Sequence, residues 1–277
     1  CRCWVAGSRC SVIGPGTHTA AGRSLSVQLL QPNVAQDEKF ALERMPDTLQ
    51  WVAARLLASR ADLVVAPETA VPLLPADLES FAPGYWRALQ QRFAQGEQAA
   101  LVGVPLGDID RGYTNSVAGL SAASASGADG GYRYDKMHLV PFGEFIPFGF
   151  RWFTELMRIP LGDFTRGVPA PPSFSVQGER AAPNICYEDL FGEELALRFA
   201  DPARAPTLFV NVSNIGWFGN TIAVDQHLAI SRMRALEFQL PLVRATNTGA
   251  TAIIDHQGRV LARLPAFQQG VLDGSVQ

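Results

Sequence analysis

Three residues of the sequence could together carry out nucleophilic acyl chemistry: Glu68, Lys136 and Cys186. A cysteine attacks a carbonyl carbon once a base has taken its proton, and a buried glutamate can be that base. The tetrahedral intermediate then carries negative charge, which a lysine beside a backbone N–H can stabilise. No histidine is required. The three residue types therefore predict covalent catalysis by a Glu–Lys–Cys site without a metal or a cofactor.

Each candidate also has an interpretation without function. Glu68 could cap the loop that follows it, Lys136 could be a surface lysine, and a lone cysteine such as Cys186 is often a small buried hydrophobe. A papain-like pairing of Cys186 with His138 is a further alternative with weaker support. The other cysteines lie at positions 1, 3 and 10 and do not form the two pairs that a zinc site needs.

The predicted elements place all three candidates at the ends of strands. Residues 63–66 form an all-apolar run, typical of a strand buried on both faces, and Glu68 follows it closely. Lys136 ends another predicted strand, and Cys186 lies where a strand over 182–187 runs into a helix. Because sites in α/β proteins open at the carboxyl ends of strands, we expect the three side chains to meet.

The rest of the pattern predicts one α/β domain. Strands and helices alternate as far as a helix predicted over 224–238, and three strands near 241–246, 250–255 and 258–263 are expected to close the chain. Residues 1–23 are rich in Gly, Ser and Thr and predict a poorly ordered leader or linker. The catalytic domain is expected to span 24–277.

Composition excludes several classes of protein. The chain has 277 residues, of which 47% are hydrophobic, so it can bury a core without disulfides or metals. Its net charge of -3 gives no electrostatic reason to bind nucleic acid. The sequence has no run of about 18 apolar residues that could span a membrane.

The candidates lie in three short segments that match, in order, the signatures of a known superfamily: residues 67–69, 134–136 and 186–188. On these segments the sequence resembles the nitrilase superfamily of carbon–nitrogen hydrolases. The resemblance implies an α-β-β-α sandwich. It also implies that Cys186 is the nucleophile, Glu68 the general base and Lys136 the stabiliser of the oxyanion.

Segments 135–147, 232–237 and 244–249 are similar to the nitrilase domain of the apolipoprotein N-acyltransferase family. That family moves a fatty acyl chain from a phospholipid, usually phosphatidylethanolamine, onto the cysteine as a thioester. The chain then passes to the α-amino group of an S-diacylglyceryl-cysteine in an apolipoprotein. The resemblance implies that Glu144, Tyr187 and Glu188 support the site.

The same resemblance implies a location at the bacterial inner membrane, with the catalytic domain facing the periplasm. The sequence begins at a cysteine and contains no spanning segment, so we expect the transmembrane helices to lie outside this chain.

Residues 142–153 include six aromatic side chains, far above the 9% of the whole chain. This arm predicts contact with acyl chains or a membrane surface through Phe145 and Phe148, and Trp217 on another loop is expected to join them. A small satellite core beneath the arm is the alternative.

Two other functions compete with acyl transfer. A soluble carbon–nitrogen hydrolase acting on an amide or nitrile would use the same Glu–Lys–Cys triad. A non-catalytic binding domain is the other, but the complete set of Glu68, Lys136 and Cys186 argues against it.

Overall fold

The computed structural model describes residues 24–35, 38, 39, 41, 43–125, 131–140, 144 and 164–277. The predicted leader, 1–23, lies outside these residues. So do Phe145, Phe148 and the rest of the aromatic segment 142–153 apart from Glu144.

The first sheet has six strands in the order β12-β1-β2-β3-β4-β5. Its strands are β1 (Leu25–Gln31), β2 (Leu63–Ala66), β3 (Ala99–Asp108), β4 (Gly112–Leu120), β5 (Tyr132–Asp135) and β12 (Gly270–Val276). Strands β1, β2 and β3 run parallel, and the remaining pairs are antiparallel. The carboxyl ends of the central strands therefore share one edge.

The second sheet repeats this plan with the order β11-β10-β9-β8-β7-β6. Its strands are β6 (Phe174–Val176), β7 (Glu179–Ile185), β8 (Leu208–Ser213), β9 (Leu242–Thr246), β10 (Ala252–Ile254) and β11 (Val260–Arg263). Strands β7, β8 and β9 are parallel, and the flanking pairs are antiparallel.

Helices cover the outer faces of both sheets. They are α1 (Met45–Ala58), α2 (Pro75–Phe81), α3 (Tyr85–Phe93), α4 (Ala122–Ala125), α5 (Gly192–Ala196) and α6 (Ala223–Phe238). One apolar cluster joins α1, α2 and α3 to the first sheet, and another joins α5 and α6 to the second. Within the described ranges, no helix has both the length and the apolar character needed to cross a membrane.

The third and central cluster lies between the two sheets. Strand β2 shows how the sequence builds these layers, because alternate residues of a strand face opposite sides. Leu63 and Val65 pack in the inter-sheet cluster, whereas Val64 and Ala66 pack in the cluster with the helices. All four are buried, as expected for a central strand. The predicted α/β fold, an α-β-β-α sandwich in a single domain, is confirmed.

The prediction that three strands close the chain was wrong. Strand β12 follows them and pairs antiparallel with β1 along its whole length, from Leu25 opposite Val276 to Gln31 opposite Gly270. Six of its seven residues are partly or fully exposed, so it lacks the alternating apolar pattern of a half-buried strand. The strand predicted over 182–187 ends at Ile185, since a short 3₁₀ turn begins at Cys186.

Candidate active site

The three predicted residues meet at one edge of the sandwich. Glu68 follows β2, Lys136 directly follows β5, and Cys186 directly follows β7. The Lys136 Nζ lies 3.4 Å from Glu68 Oε1, and both side chains are buried, with 1% and 7% exposed. Cys186 is close enough that the charges of Glu68 and Lys136 both act on its pKa. The first sheet thus supplies the two ionisable partners and the second sheet supplies the thiol.

Two glycines permit this close approach of loops. A Cβ on Gly103 of β3 would collide with the Pro67 carbonyl oxygen and the Cα of Glu68. A Cβ on Gly167 would collide with the main chain of Asp135, where the Gly167 N–H donates to the Lys136 carbonyl at 2.9 Å. Glycine at these positions lets the backbone press against the residues before Glu68 and Lys136.

The Glu68 carboxylate is held as an ion by donors on both oxygens. Its Oε1 accepts from Asn115 Nδ2 at 2.7 Å, and its Oε2 accepts from the Asn214 N–H at 2.7 Å. Burial acts to raise the pKa of Glu68. The charges of Lys136 and Lys39 and these hydrogen bonds outweigh burial, so the net pKa lies below the ordinary value. Glu68 is therefore available to accept a proton.

Lys136 is fixed between two carboxylates. Its Nζ donates to Glu144 Oε1 at 2.8 Å, and Glu144 Oε2 in turn accepts from the Val140 N–H at 2.8 Å. Burial alone would lower the pKa of Lys136, but the neighbouring negative charges, Glu68 first, raise it above its ordinary value. Lys136 therefore stays a cation at the point where an oxyanion would form.

Asn115 is a central residue of the site that sequence reasoning missed. Its Nδ2 donates to Glu68 Oε1 and to Glu144 Oε1, at 2.7 and 2.8 Å, so one amide joins both carboxylates. The available signal was an amide side chain in the stretch 114–120 of β4, which is buried throughout. That signal is weak because buried amides often serve structure alone.

Cys186 occupies a strained corner of the backbone. It is the first residue of a 3₁₀ turn over Cys186–Leu190, and its φ of 58° lies in the left-handed region that costs a non-glycine residue about 1–2 kcal/mol. The Asn211 Nδ2 donates to the Cys186 carbonyl at 2.8 Å and holds the corner. This geometry confirms the sharp strand–turn–helix corner that the sequence predicts around the thiol.

The thiol itself is protonated at neutral pH. Burial, followed by the negative charge of Glu68, raises the pKa of Cys186 to about 12, although Lys136 acts in the opposite direction. A thiol in this state reacts only when a base takes its proton as it attacks. The ionised Glu68, whose charge acts on the thiol, is the candidate for that base.

Glu188 ties the cysteine corner to the Lys136 strand. Its Oε2 accepts from Tyr134 OH and the Ile185 N–H at 2.6 and 2.7 Å. Its Oε1 accepts from the N–H groups of Met137 and His138 at 2.7 and 3.0 Å. Burial raises the pKa of Glu188, and hydrogen bonds, that from Tyr134 first, oppose the rise.

The other predicted residues that the structure describes are Tyr187, Trp217 and His138. The Tyr187 ring lies 5.5 Å from Lys136 Nζ, and its hydroxyl donates to the Leu139 carbonyl at 2.8 Å. Trp217 lies in a 3₁₀ turn directly after Asn214 and is 68% exposed. His138 has its Nδ1 3.0 Å from Glu194 Oε1 and stacks on Phe191, so the structure gives it a partner other than Cys186.

A buried polar network holds the backbone at Cys186 in place. Arg244, fully buried in β9, donates to Asn211 Oδ1 at 2.7 Å and to Ser231 Oγ at 3.0 Å, and lies 3.4 Å from Asp189 Oδ2. The Ser231 hydroxyl also donates to Asp189 Oδ2 at 2.6 Å. Asn211 is thus oriented on one side by Arg244, and its amide on the other side holds the Cys186 carbonyl.

Comparisons with known proteins identify the family of the chain. The family model for carbon–nitrogen hydrolases matches residues 26–277. The chain is 62% identical over 254 residues to an apolipoprotein N-acyltransferase of Verminephrobacter eiseniae, covering 91% of this chain and 46% of that protein. It is 47% identical to one of Ralstonia nicotianae, covering 99% of this chain and 53% of the relative. The chain therefore spans about half the length of the curated relatives it matches.

Solved structures share the fold. A CN-hydrolase superfamily protein of Xanthomonas campestris superposes with a TM-score of 0.65 at 20% identity, covering 92% of this chain and 91% of the other. A carbon–nitrogen hydrolase of Helicobacter pylori gives a TM-score of 0.63 at 14% identity, covering 92% and 90%. The family model and the architecture agree, and the chain belongs to the carbon–nitrogen hydrolase family.

Proposed function

We propose that this chain is the catalytic domain of an apolipoprotein N-acyltransferase. It moves a fatty acyl chain from a phospholipid, with phosphatidylethanolamine as the expected donor, to the α-amino group of an S-diacylglyceryl-cysteine in an apolipoprotein. The observation that carries the proposal is the buried pair of Glu68 and Lys136 beside a partly buried Cys186, in a chain 62% identical to a protein of that name.

In the first half-reaction Glu68 takes the proton of the Cys186 thiol as the sulfur attacks the ester carbonyl carbon of the phospholipid. Lys136 stabilises the negative charge that develops on the carbonyl oxygen. The carbon–oxygen bond of the ester then breaks. Glu68 returns its proton to the leaving alkoxide, lysophospholipid departs, and the acyl chain remains on Cys186 as a thioester.

In the second half-reaction the α-amino group of the acceptor attacks the thioester in its neutral form. Glu68 takes the proton that the nitrogen loses, and Lys136 again stabilises the oxyanion. The carbon–sulfur bond breaks as the amide forms, and the proton on Glu68 passes to the sulfur of Cys186. The site returns to its starting state, so donor and acceptor follow each other in a ping-pong sequence.

Three further residues have supporting roles in this proposal. Glu144 holds Lys136 through a 2.8 Å ion pair, so it aims the ammonium group. Tyr187 places an aromatic ring beside that same ammonium. Glu188 fixes the cysteine corner to the residues that follow Lys136.

Contact with lipid is the part of the proposal that rests on exposed apolar surface. Trp217 and Phe218 are 68% and 50% exposed and lie just beyond Asn214, whose N–H binds Glu68. Tryptophan is favoured at the boundary between membrane and water. We assign Trp217, together with Phe145 and Phe148 of the aromatic arm, to contact with acyl chains and the membrane surface.

The expected location follows from the substrates. A phospholipid donor and a lipid-modified acceptor place the domain at a membrane surface, and we propose the periplasmic face of the bacterial inner membrane.

The decisive experiment is intact-mass spectrometry after incubation with phosphatidylethanolamine vesicles. The wild-type protein should gain the mass of one acyl chain, and the Cys186→Ala variant should gain none. Addition of a synthetic diacylglyceryl-cysteine peptide should remove the adduct and acylate the peptide. An acyl adduct that persists in Cys186→Ala contradicts the assignment of the nucleophile. Absence of any adduct, combined with turnover of small amides, would instead favour a carbon–nitrogen hydrolase.

A further inference from the structure

Asn247 joins the two sheets beside the reacting groups. It directly follows β9 of the second sheet and is 2% exposed. Its Oδ1 accepts from the Val34 N–H at 2.9 Å, and its Nδ2 donates to the Val34 carbonyl at 2.8 Å. Its main-chain carbonyl accepts from the Asn33 N–H at 2.8 Å. Because Asn33 and Val34 follow β1, Asn247 ties a strand end of the first sheet to one of the second.

The same residue holds the backbone at Ser213 and Asn214, where β8 ends. The Asn247 N–H donates to the Ser213 carbonyl at 3.0 Å. Its Nδ2, which also serves Val34, donates to Asn214 Oδ1 at 3.0 Å. Asn247 therefore holds these two neighbouring residues through its main chain and its side chain together.

The peptide group between Ser213 and Asn214 leads directly to Glu68. The C=O and the N–H of a trans peptide point in opposite directions. The Ser213 carbonyl accepts from Asn247 on one side, and the Asn214 N–H donates to Glu68 Oε2 at 2.7 Å on the other. Hydrogen bonds in such a chain polarise one another and become stronger. The orientation that Asn247 imposes on this peptide is thus passed to the carboxylate.

The bond from Asn214 affects both the orientation and the charge of Glu68. Asn115 holds Oε1 and the Asn214 N–H holds Oε2, so the two donors together fix the rotation of the carboxylate. Burial acts to raise the pKa of Glu68, whereas the charges of the two neighbouring lysines and these hydrogen bonds lower it. Loss of the Asn214 bond would leave the carboxylate free to turn and easier to protonate.

We propose that Asn247 is a positioning residue for the reaction assigned to this site: it fixes the Ser213–Asn214 peptide in the orientation in which the Asn214 N–H holds the Glu68 carboxylate. This inference rests on the proposed function, since it takes Glu68 as the base. An Asn247 that only joined the sheets would stabilise the fold without affecting the protonation of Glu68, so a pH profile separates the two roles.

The test is the pH at which Cys186 becomes reactive towards iodoacetamide in the full-length protein, followed by mass spectrometry of the peptide that carries it. With Glu68 as the base, the rate should rise with pH as Glu68 ionises and then become level. The midpoint of this rise depends on the proton affinity of Glu68 and not on the level that the rate reaches. In Asn247→Ala the midpoint should move to higher pH by about one unit, because the carboxylate loses an aligned donor.

Gln31→Ala is the matched control. Gln31 is a fully buried amide at the end of β1, and its Nε2 donates to the carbonyls of Pro265 and Gln268 at 2.8 and 2.7 Å. These bonds tie β1 to the loop before β12 and do not involve Ser213, Asn214 or Glu68. Gln31→Ala should therefore lower the melting temperature, as Asn247→Ala does, but keep the wild-type midpoint.

Two outcomes would overturn the positioning role: an unchanged midpoint in folded Asn247→Ala, or an equal shift in Gln31→Ala. Should Asn247→Ala fail to fold, Asn214→Ala takes its place. That variant removes the oxygen that accepts from the Asn247 side chain and keeps the main-chain N–H that binds Glu68. A wild-type midpoint in Asn214→Ala would refute the proposal equally.

Glu68→Gln separates this inference from the proposed function. If Glu68→Gln keeps the wild-type midpoint, Glu68 is not the base and the proposed mechanism fails. If Glu68→Gln abolishes the wild-type rise but Asn247→Ala leaves its midpoint in place, only the positioning role fails. Alkylation needs no lipid, so failure of acyl transfer would leave this test intact.

Discussion

Replacing Glu188 with glutamine tests whether one buried carboxylate holds Cys186, the proposed nucleophile, in place. The substitution keeps the size of the side chain and removes its charge and one of its two acceptor oxygens. Glu188 is 3% exposed, and its four partners all donate to it. Glutamine can satisfy the two N–H groups of Met137 and His138 through its carbonyl oxygen. Its amide N–H groups then face Tyr134 and Ile185.

The expected loss of stability follows from that arrangement. The Tyr134 hydroxyl can rotate and accept a hydrogen bond, but the Ile185 N–H cannot and is left without a partner. One buried unpaired donor costs about 1–3 kcal/mol, and hydrogen bonds to a charged group are worth more than neutral ones. Burying a neutral side chain costs less free energy than burying a charged one, and this difference offsets part of the cost. We expect the free energy of unfolding to fall by about 2–4 kcal/mol.

The assay combines urea unfolding with the alkylation rate of Cys186. Ile185 directly precedes the nucleophile, so Glu188→Gln should change the reactivity of the thiol under conditions where the protein remains folded. Glu193→Gln is the matched control, since Glu193 is exposed five residues further along the chain. The reasoning fails if the free energy of unfolding of Glu188→Gln lies within about 0.5 kcal/mol of the wild-type value and Cys186 is alkylated at the wild-type rate. The four hydrogen bonds of Glu188 would then not hold the backbone at Cys186.

Three further perturbations test the neighbouring parts of the site. In Glu68→Gln, the rate of alkylation of Cys186 should rise about tenfold per pH unit between about pH 6 and 8, because burial still raises the pKa of the thiol and the thiol must ionise without a base. The wild-type rate should stay level over this range, and a level profile in the variant would exclude Glu68 as the base. Asn115→Ala should slow acyl-enzyme formation by roughly tenfold because both carboxylates lose a donor, and an unchanged rate by intact mass would make Asn115 structural only. Trp217→Ser should weaken sedimentation with phospholipid vesicles without changing the melting temperature, and Leu261→Ser, at a position 59% exposed on an edge strand, is the control that should bind normally.

The sequence predicted that the three candidate residues lie at the ends of strands, and for Glu68 the apolar run of the preceding strand is easily recognised. Leu63–Ala66 is fully buried, so the position of Glu68 at its carboxyl end followed from the pattern. Tertiary polar contacts were not predictable in the same way. Asn115 and Lys39 lie 47 and 29 positions from Glu68 along the chain, and their contact with it exists only once the loops are folded.

Two elements, β12 and α2, could not be predicted because their sequences show no clear hydrophobic periodicity. Strand β12 is stabilised by its backbone pairing with β1, which side-chain type does not reveal. Helix α2 has seven residues, of which Leu78 is the one buried, so it shows less than two turns of amphipathic spacing. In both cases the partner in space determines the structure more than the local sequence does.

The site depends on how the two sheets meet. Glu68, Lys136 and Asn115 belong to the first sheet and its loops, whereas Cys186 and Asn214 belong to the second. The 2.7 Å hydrogen bond from the Asn214 N–H to Glu68 therefore crosses between the two halves, as do the bonds of Glu188 with Tyr134, Met137 and His138. A shift between the sheets would separate Glu68 from the Cys186 thiol without breaking either half. The inter-sheet apolar cluster thus sets the distance over which the proposed proton transfer takes place, in addition to stabilising the fold.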